Sequence, residues 1–90
     1  MHLGIYRFAG DPGELLPAYD RMLAGMTPGV IVFHACTVEP DGITIYDACP
    51  TREAFERFST SAEFRAALAS AGLPEPAIES TPVHNAVAAI

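Results

Sequence analysis

Val30-Ile31-Val32-Phe33-His34-Ala35-Cys36-Thr37-Val38-Glu39-Pro40-Asp41-Gly42-Ile43-Thr44-Ile45-Tyr46-Asp47-Ala48-Cys49 reads as two strands joined by a tight turn. β-branched and aromatic residues fill both arms, Val30 to Glu39 and Ile43 to Cys49, and Pro40-Asp41-Gly42 breaks them apart. The turn decides which side chains share a face. Glu39-Pro40-Asp41-Gly42 suits a type I turn with the glycine left-handed, a three-residue hairpin with a G1 bulge. That turn sets Glu39 opposite Ile43, His34 opposite Ala48 and Cys36 opposite Tyr46. One face then carries Ile31, Phe33, Ala35, Ile43, Ile45 and Asp47 as a packed core. The other carries His34, Cys36, Thr44 and Tyr46, as a pocket wall would. A slip by one residue pairs His34 with Asp47 on a common face instead. The first register divides apolar from polar better, and the second stays open.

Outward from the hairpin, both flanks read as helix and strand. On the N-terminal side, His2 to Phe8 is a short apolar strand. Asp11 caps a helix, Pro12 suits its first position, and Glu14 completes a capping box. Leu15, Leu16, Tyr19, Met22, Leu23 and Met26 follow at helical spacing, so Tyr19 reads as packing. Pro17 either kinks this helix or restarts it. Thr27-Pro28-Gly29 ends it. On the C-terminal side, Thr51 caps a second helical region carrying Phe55 and Phe58. Ser59-Thr60-Ser61 interrupts it, and Thr60 with Glu63 offers a second capping box. Phe64, Ala67, Leu68 and Ala71 continue the stripe until Gly72 and Pro74 stop it. Ala77 to Ala88 is a last strand, and Pro82 within it marks an edge. The order is βαββαβ over residues 1–90 as one domain. The expected fold is α+β, ferredoxin-like: a four-stranded antiparallel sheet with helices on one face.

Composition narrows the function. Half of the 90 residues are hydrophobic, a surplus that a small domain hides in a subunit interface, so a homodimer is expected. Five Lys and Arg stand against eleven Asp and Glu, for a net charge of −6. No cationic face exists for nucleic acid or an anionic membrane. No apolar run reaches a membrane span, and the N-terminus has no signal-peptide pattern, so a cytoplasmic chain with reduced thiols is expected. Cys36 and Cys49 form no Cys-x-x-Cys pair. His2, His34 and His84 have no metal-ligand spacing, so no metal is expected.

With the βαββαβ order in place, Thr51-Arg52-Glu53-Ala54-Phe55-Glu56-Arg57-Phe58-Ser59-Thr60-Ser61-Ala62-Glu63-Phe64-Arg65 resembles the interrupted second helix of the dimeric α+β barrel superfamily. That group includes the antibiotic-biosynthesis monooxygenase-like proteins, beside haem degraders, polyketide cyclases and lyases. The resemblance implies that two subunits close their sheets into a barrel, and that some members are cofactor-free oxygenases. The chain departs from the tryptophan and histidine pattern of the second helical region. It has no tryptophan, and residues 51–72 hold no histidine, which argues against quinol-type oxygenation and haem degradation.

His34 stands mid-strand in an apolar run, where an imidazole needs a hydrogen-bond partner. Histidine titrates near neutral pH, so one in a pocket can act as general acid or base. The alternative is a core or interface histidine bound to a carbonyl. His84 lies on the last strand; given the resemblance it could approach the partner subunit, or it is a surface residue. His2 reads as an exposed terminal residue. Asp47 could fix a histidine tautomer, or it is a solvent-exposed cap near the second helix. Tyr6 and Tyr46 could donate to a developing enolate, or they are core residues. Cys36 lines the same pocket but lacks the electropositive setting of a nucleophile. With no phosphate-binding glycine loop, the expected enzyme needs no cofactor. The resemblance to the dimeric α+β barrel superfamily implies that it would act on a small apolar, enolisable aromatic or polyketide-like molecule as cyclase or monooxygenase. The competing expectation is a non-enzymatic dimeric module that binds a small ligand.

Overall fold

The computed structural model describes residues 1–26, 29 and 31–90. Its elements run β1 (His2–Ala9), α1 (Pro12–Ala24), β2 (Phe33–Glu39), β3 (Gly42–Cys49), α2 (Arg52–Ser59), α3 (Ala62–Ala71) and β4 (Ala77–Pro82). The four strands form one antiparallel sheet in the order β2-β3-β1-β4. This is the ferredoxin-like α+β architecture that the element order implied. Thr27, Pro28 and Val30, part of the expected helix stop and strand start, lie outside the described residues.

Local chemistry explains each helix boundary. The Asp11 carboxylate accepts from the Gly13 backbone N–H at the start of α1. Pro17 sits inside α1 without dividing it: the helix runs unbroken to Ala24. Thr51 caps α2 by accepting from the Ala54 N–H at 3.1 Å. The cap of α3 is Ser61, not Thr60: its hydroxyl accepts from the Phe64 N–H, while Thr60 donates to the Glu56 carbonyl. Gly72 ends α3 with φ of 86°, a conformation that costs glycine nothing. The last strand is shorter than expected. It stops at the edge-strand proline, Pro82, which leaves His84 beyond it and exposed.

One core cluster joins β1, β3 and all three helices. Tyr6 and Phe8 of β1 and Ile43, Ile45 and Cys49 of β3 meet Leu15, Tyr19, Met22, Phe55, Phe64 and Leu68. Each such large side chain contributes about 1.5–3 kcal/mol by leaving water. Even positions of β1 and odd positions of β3 therefore face the helices.

The hairpin adopts the second register. Glu39 pairs with Gly42, and His34 with Asp47. The loop is only Pro40-Asp41, and Gly42 is not left-handed. Glycine is required there for another reason. A Cβ on Gly42 would stand 2.1 Å from the Phe8 carbonyl oxygen of β1. Thr37 and Thr44 both donate to the Glu39 carboxylate, at 2.7 and 2.5 Å, tying the turn end together. The consequence reverses the expected faces. His34 and Cys36 lie on the helix side with Ile45 and Asp47. Phe33, Ala35, Thr44 and Tyr46 lie on the open side with Leu3, Ile5 and Arg7.

Candidate active site

Register places His34, Asp47, Gly4 and Ser80 in one rung across β2, β3, β1 and β4. His34 Nδ1 lies 2.5 Å from Asp47 Oδ1. Asp47 is buried, at 3% exposure, and its ionised form has only acceptors to offer. The His34 Nδ1–H therefore donates to the carboxylate, which leaves Nε2 with a lone pair. That nitrogen is 2.5 Å from the Tyr19 hydroxyl of α1, which donates to it. The two rings have parallel planes with centroids 5.7 Å apart, an edge-on approach through the hydroxyl rather than a face-to-face stack. Tyr19, His34 and Asp47 thus form a continuous hydrogen-bonded chain from helix to sheet.

Burial sets the electrostatics of this chain. It pushes the Asp47 carboxyl above the ordinary carboxylate range, while the hydrogen bond and charge of His34 pull it back. Burial also pushes the Tyr19 phenol up, helped by Cys36, Asp47 and Asp20. The Tyr19 hydroxyl is accordingly held as a donor. Cys36 is half-buried, and its thiol is raised by burial and then by Glu39 and Asp20, so it rests as a thiol.

The remaining candidate residues separate. Tyr46 is on the open face, opposite Ala35 and Ile5, and does not share a pocket with His34. It lines a cleft of about 450 Å³ with Arg7, Glu39, Thr44 and Ala77, on the side away from the chain. Tyr6 is on the helix side, 1% exposed. His84 is exposed and outside the strands. His2 is not an exposed terminus: β1 begins with it, and the pleat turns its ring inward against Phe55, at 5.5 Å between centroids. Tyr19 is the residue that the spacing of apolar side chains hid. A tyrosine in a helical stripe reads as packing, and only the register and the α1 crossing reveal its hydroxyl partner.

Two side-chain polar atoms among the described residues are buried without a partner, His2 Nε2 and the Tyr6 hydroxyl. An unmade buried hydrogen bond costs about 1–3 kcal/mol. Burial, and next the Asp47 charge, raise the Tyr6 phenol far above its ordinary value. A separate cavity of about 240 Å³ lies between α1 and the α2–α3 pair. Its wall is largely apolar, with Met22, Met26, Phe58, Phe64 and Ala67. Met22 is one helical turn from Tyr19, so the cavity and the hydrogen-bonded chain share α1.

No family model matches the chain, and no curated protein matches it. Solved structures do. A candidate antibiotic biosynthesis monooxygenase from Deinococcus radiodurans matches with TM-score 0.68 at 9% identity, over 100% of this chain and 99% of that one. SnoaB, a cofactor-independent oxygenase from Streptomyces nogalater, matches with TM-score 0.67 at 20% identity, over 98% and 97%. Rv0793 from Mycobacterium tuberculosis matches with TM-score 0.68 at 17% identity, over 96% and 98%. At these identities the likeness establishes the fold, that of the antibiotic biosynthesis monooxygenase-like group.

Proposed function

We propose that the protein is a cofactor-independent enzyme that removes a proton from an enolisable aromatic or polyketide-like substrate, as an oxygenase or cyclase. The observation that carries this reading is the Tyr19–His34–Asp47 chain. Asp47 holds His34 in the tautomer with a basic Nε2. Tyr19 hands its hydroxyl proton to Nε2 and takes one from the substrate, which becomes an enolate. The buried carboxylate then faces an imidazolium. In the oxygenase case the enolate carbon adds dioxygen, and the peroxide takes back one proton through Tyr19. Loss of water from the resulting hydroperoxide leaves a carbonyl where a CH₂ stood. In the cyclase case the same enolate attacks a carbonyl of its own chain. The apolar cavity beside Met22 suits the ring system of such a substrate. The oxygenase named among the fold neighbours supports this reaction class by analogy.

The reading includes a homodimer. Phe33 of the open face is 56% exposed, and Leu3, Ile5 and Tyr46 are half-buried beside it. An apolar sheet face of this kind is suited to a second copy. The second reading, a small-ligand-binding module without chemistry, draws on one observation: Phe55 and Phe64 fill much of the space between sheet and helices. One experiment separates the two. Incubation with 2-tetralone in deuterated water, followed by proton NMR, is expected to show enzyme-dependent loss of the α-hydrogens. His34→Gln is expected to slow it by about 10²–10⁴-fold. No acceleration by the wild type, or an unaffected His34→Gln, leaves the binding module as the better reading.

A further inference from the structure

We infer that the groove between α1 and α3 binds an aromatic carboxylic acid, with its ring in the apolar cavity and its carboxylate on the Arg21 guanidinium. The inference names a substrate class for the proposed site, and rests on that reading only in placing the ring in the cavity beside Met22. A second hollow, of about 360 Å³, adjoins that cavity. The two share Met22, Gly25, Met26 and Ala67, so they form one groove. Glu63, in the first turn of α3, stands at the cavity end. Arg21 and Ser70 stand at the other, where α3 closes. From Glu63 to Ser70 the helix rises about 10 Å, the length of a bicyclic ring with a short acid arm. An anionic end is repelled from Glu63 and drawn to Arg21, so an acid lies in this groove in one direction only.

Arg21 differs from most of the cations of this acidic chain. There is no lysine, and all five basic residues are arginines. Arg7, Arg52 and Arg65 each bind a carboxylate, those of Glu79, Glu56 and Glu75. Arg21 binds none among the described residues. Its Nη2 donates instead to the Ala71 carbonyl at 2.9 Å. Because α3 has no basic residue in its own last turn, Arg21 serves that helix end from α1. This single bond anchors a guanidinium that carries five N–H donors in a rigid fork, and the others suffice for a bidentate carboxylate. A side chain anchored in advance loses less freedom on binding than a mobile one.

The test compares 2-naphthylacetic acid with 2-naphthylacetamide, which share ring and arm and differ in charge. Isothermal titration calorimetry at pH 7 measures both. Wild type is expected to bind the acid about tenfold more tightly than the amide, as a charge-assisted bidentate pair allows. Arg21 is exposed, so this preference is expected to shrink as salt rises to about 1 M. Arg21→Gln keeps a donor for the Ala71 carbonyl and removes the charge; it is expected to erase the preference. Arg52→Gln removes the same charge outside both hollows and is expected to keep it. Ala67→Phe fills the junction of the two hollows and is expected to weaken both probes. Equal affinities in wild type, a preference that survives Arg21→Gln or is lost in Arg52→Gln, or unchanged binding in Ala67→Phe overturns the inference. Acid binding and the hydrogen exchange of 2-tetralone, a neutral ketone, are read independently, so this inference and the proposed chemistry can fail separately.

Discussion

His34 and Asp47 face each other on adjacent strands, Nδ1 to Oδ1 at 2.5 Å, because the β2–β3 hairpin closes through two residues. The contact joins a largely buried imidazole, 22% exposed, to a buried carboxylate. It thereby connects the interior of the sheet to the α1 side, where Tyr19 waits on the other ring nitrogen.

Asp47→Asn tests the cost of that burial. The folded carboxyl is raised above its unfolded value of about 4. The native state therefore binds this proton more tightly than the unfolded chain does. The stability it contributes is complete below the unfolded value and is lost as pH rises through the folded one. Unfolding free energy of wild type minus that of Asp47→Asn is expected to fall as pH climbs from about 4. Urea melts across that range measure it, and a difference that rises with pH contradicts the assignment.

Tyr19→Phe keeps the ring and deletes the donor. The expected loss of stability is about 1 kcal/mol, the net worth of one hydrogen bond. The turnover number for α-hydrogen exchange is expected to fall by about tenfold or more, with KM little changed, since the group carries a proton rather than holding the substrate. A change confined to KM would assign Tyr19 to binding.

Gly42→Ala probes the turn. The added Cβ would stand 2.1 Å from the Phe8 carbonyl oxygen, and neither backbone can yield without breaking the β1–β3 pairing. A loss of about 3 kcal/mol, near the upper end for overpacking, is expected from urea denaturation. Gly25→Ala is the control: the nearest atoms to its Cβ are at ordinary contact distance, 3.7 and 3.8 Å, and little change is expected.

Phe33→Lys tests the open face. The ring is 56% exposed in one chain and has no role in the core. The expected result is a shift from dimer to monomer by sedimentation velocity, with the far-ultraviolet spectrum of the fold retained. An unshifted dimer would move the interface elsewhere.

The comparison of sequence with structure is instructive at particular residues. Asp11, Thr51 and Gly72 announced their helix boundaries because capping is a local transaction between neighbours. The hairpin was legible, but its register was off by one. Pro40-Asp41-Gly42 invites a left-handed glycine, whereas Gly42 answers to the Phe8 carbonyl of a strand more than thirty residues earlier. No local reading contains that contact. The single slip moved Tyr46 to the far face and brought Asp47 to His34. His34 and Asp47 were therefore recognisable as types before their partnership was. Tyr19 and the buried His2 were not, since a helical stripe and a second residue in the chain carry no sign of what packs against them.

Surface turns are where chains ordinarily gain and lose residues most freely. The two-residue loop at Pro40-Asp41 joins Glu39 to Gly42, and the alignment of that pair sets the parity of the whole hairpin. A slip of β2 by one residue against β3 would turn the imidazole outward and set Phe33 on the helix side, while leaving every residue of both strands unaltered. Reading frame in the geometric sense, and not only amino-acid identity, is thus part of what must be inherited for His34 to keep Asp47.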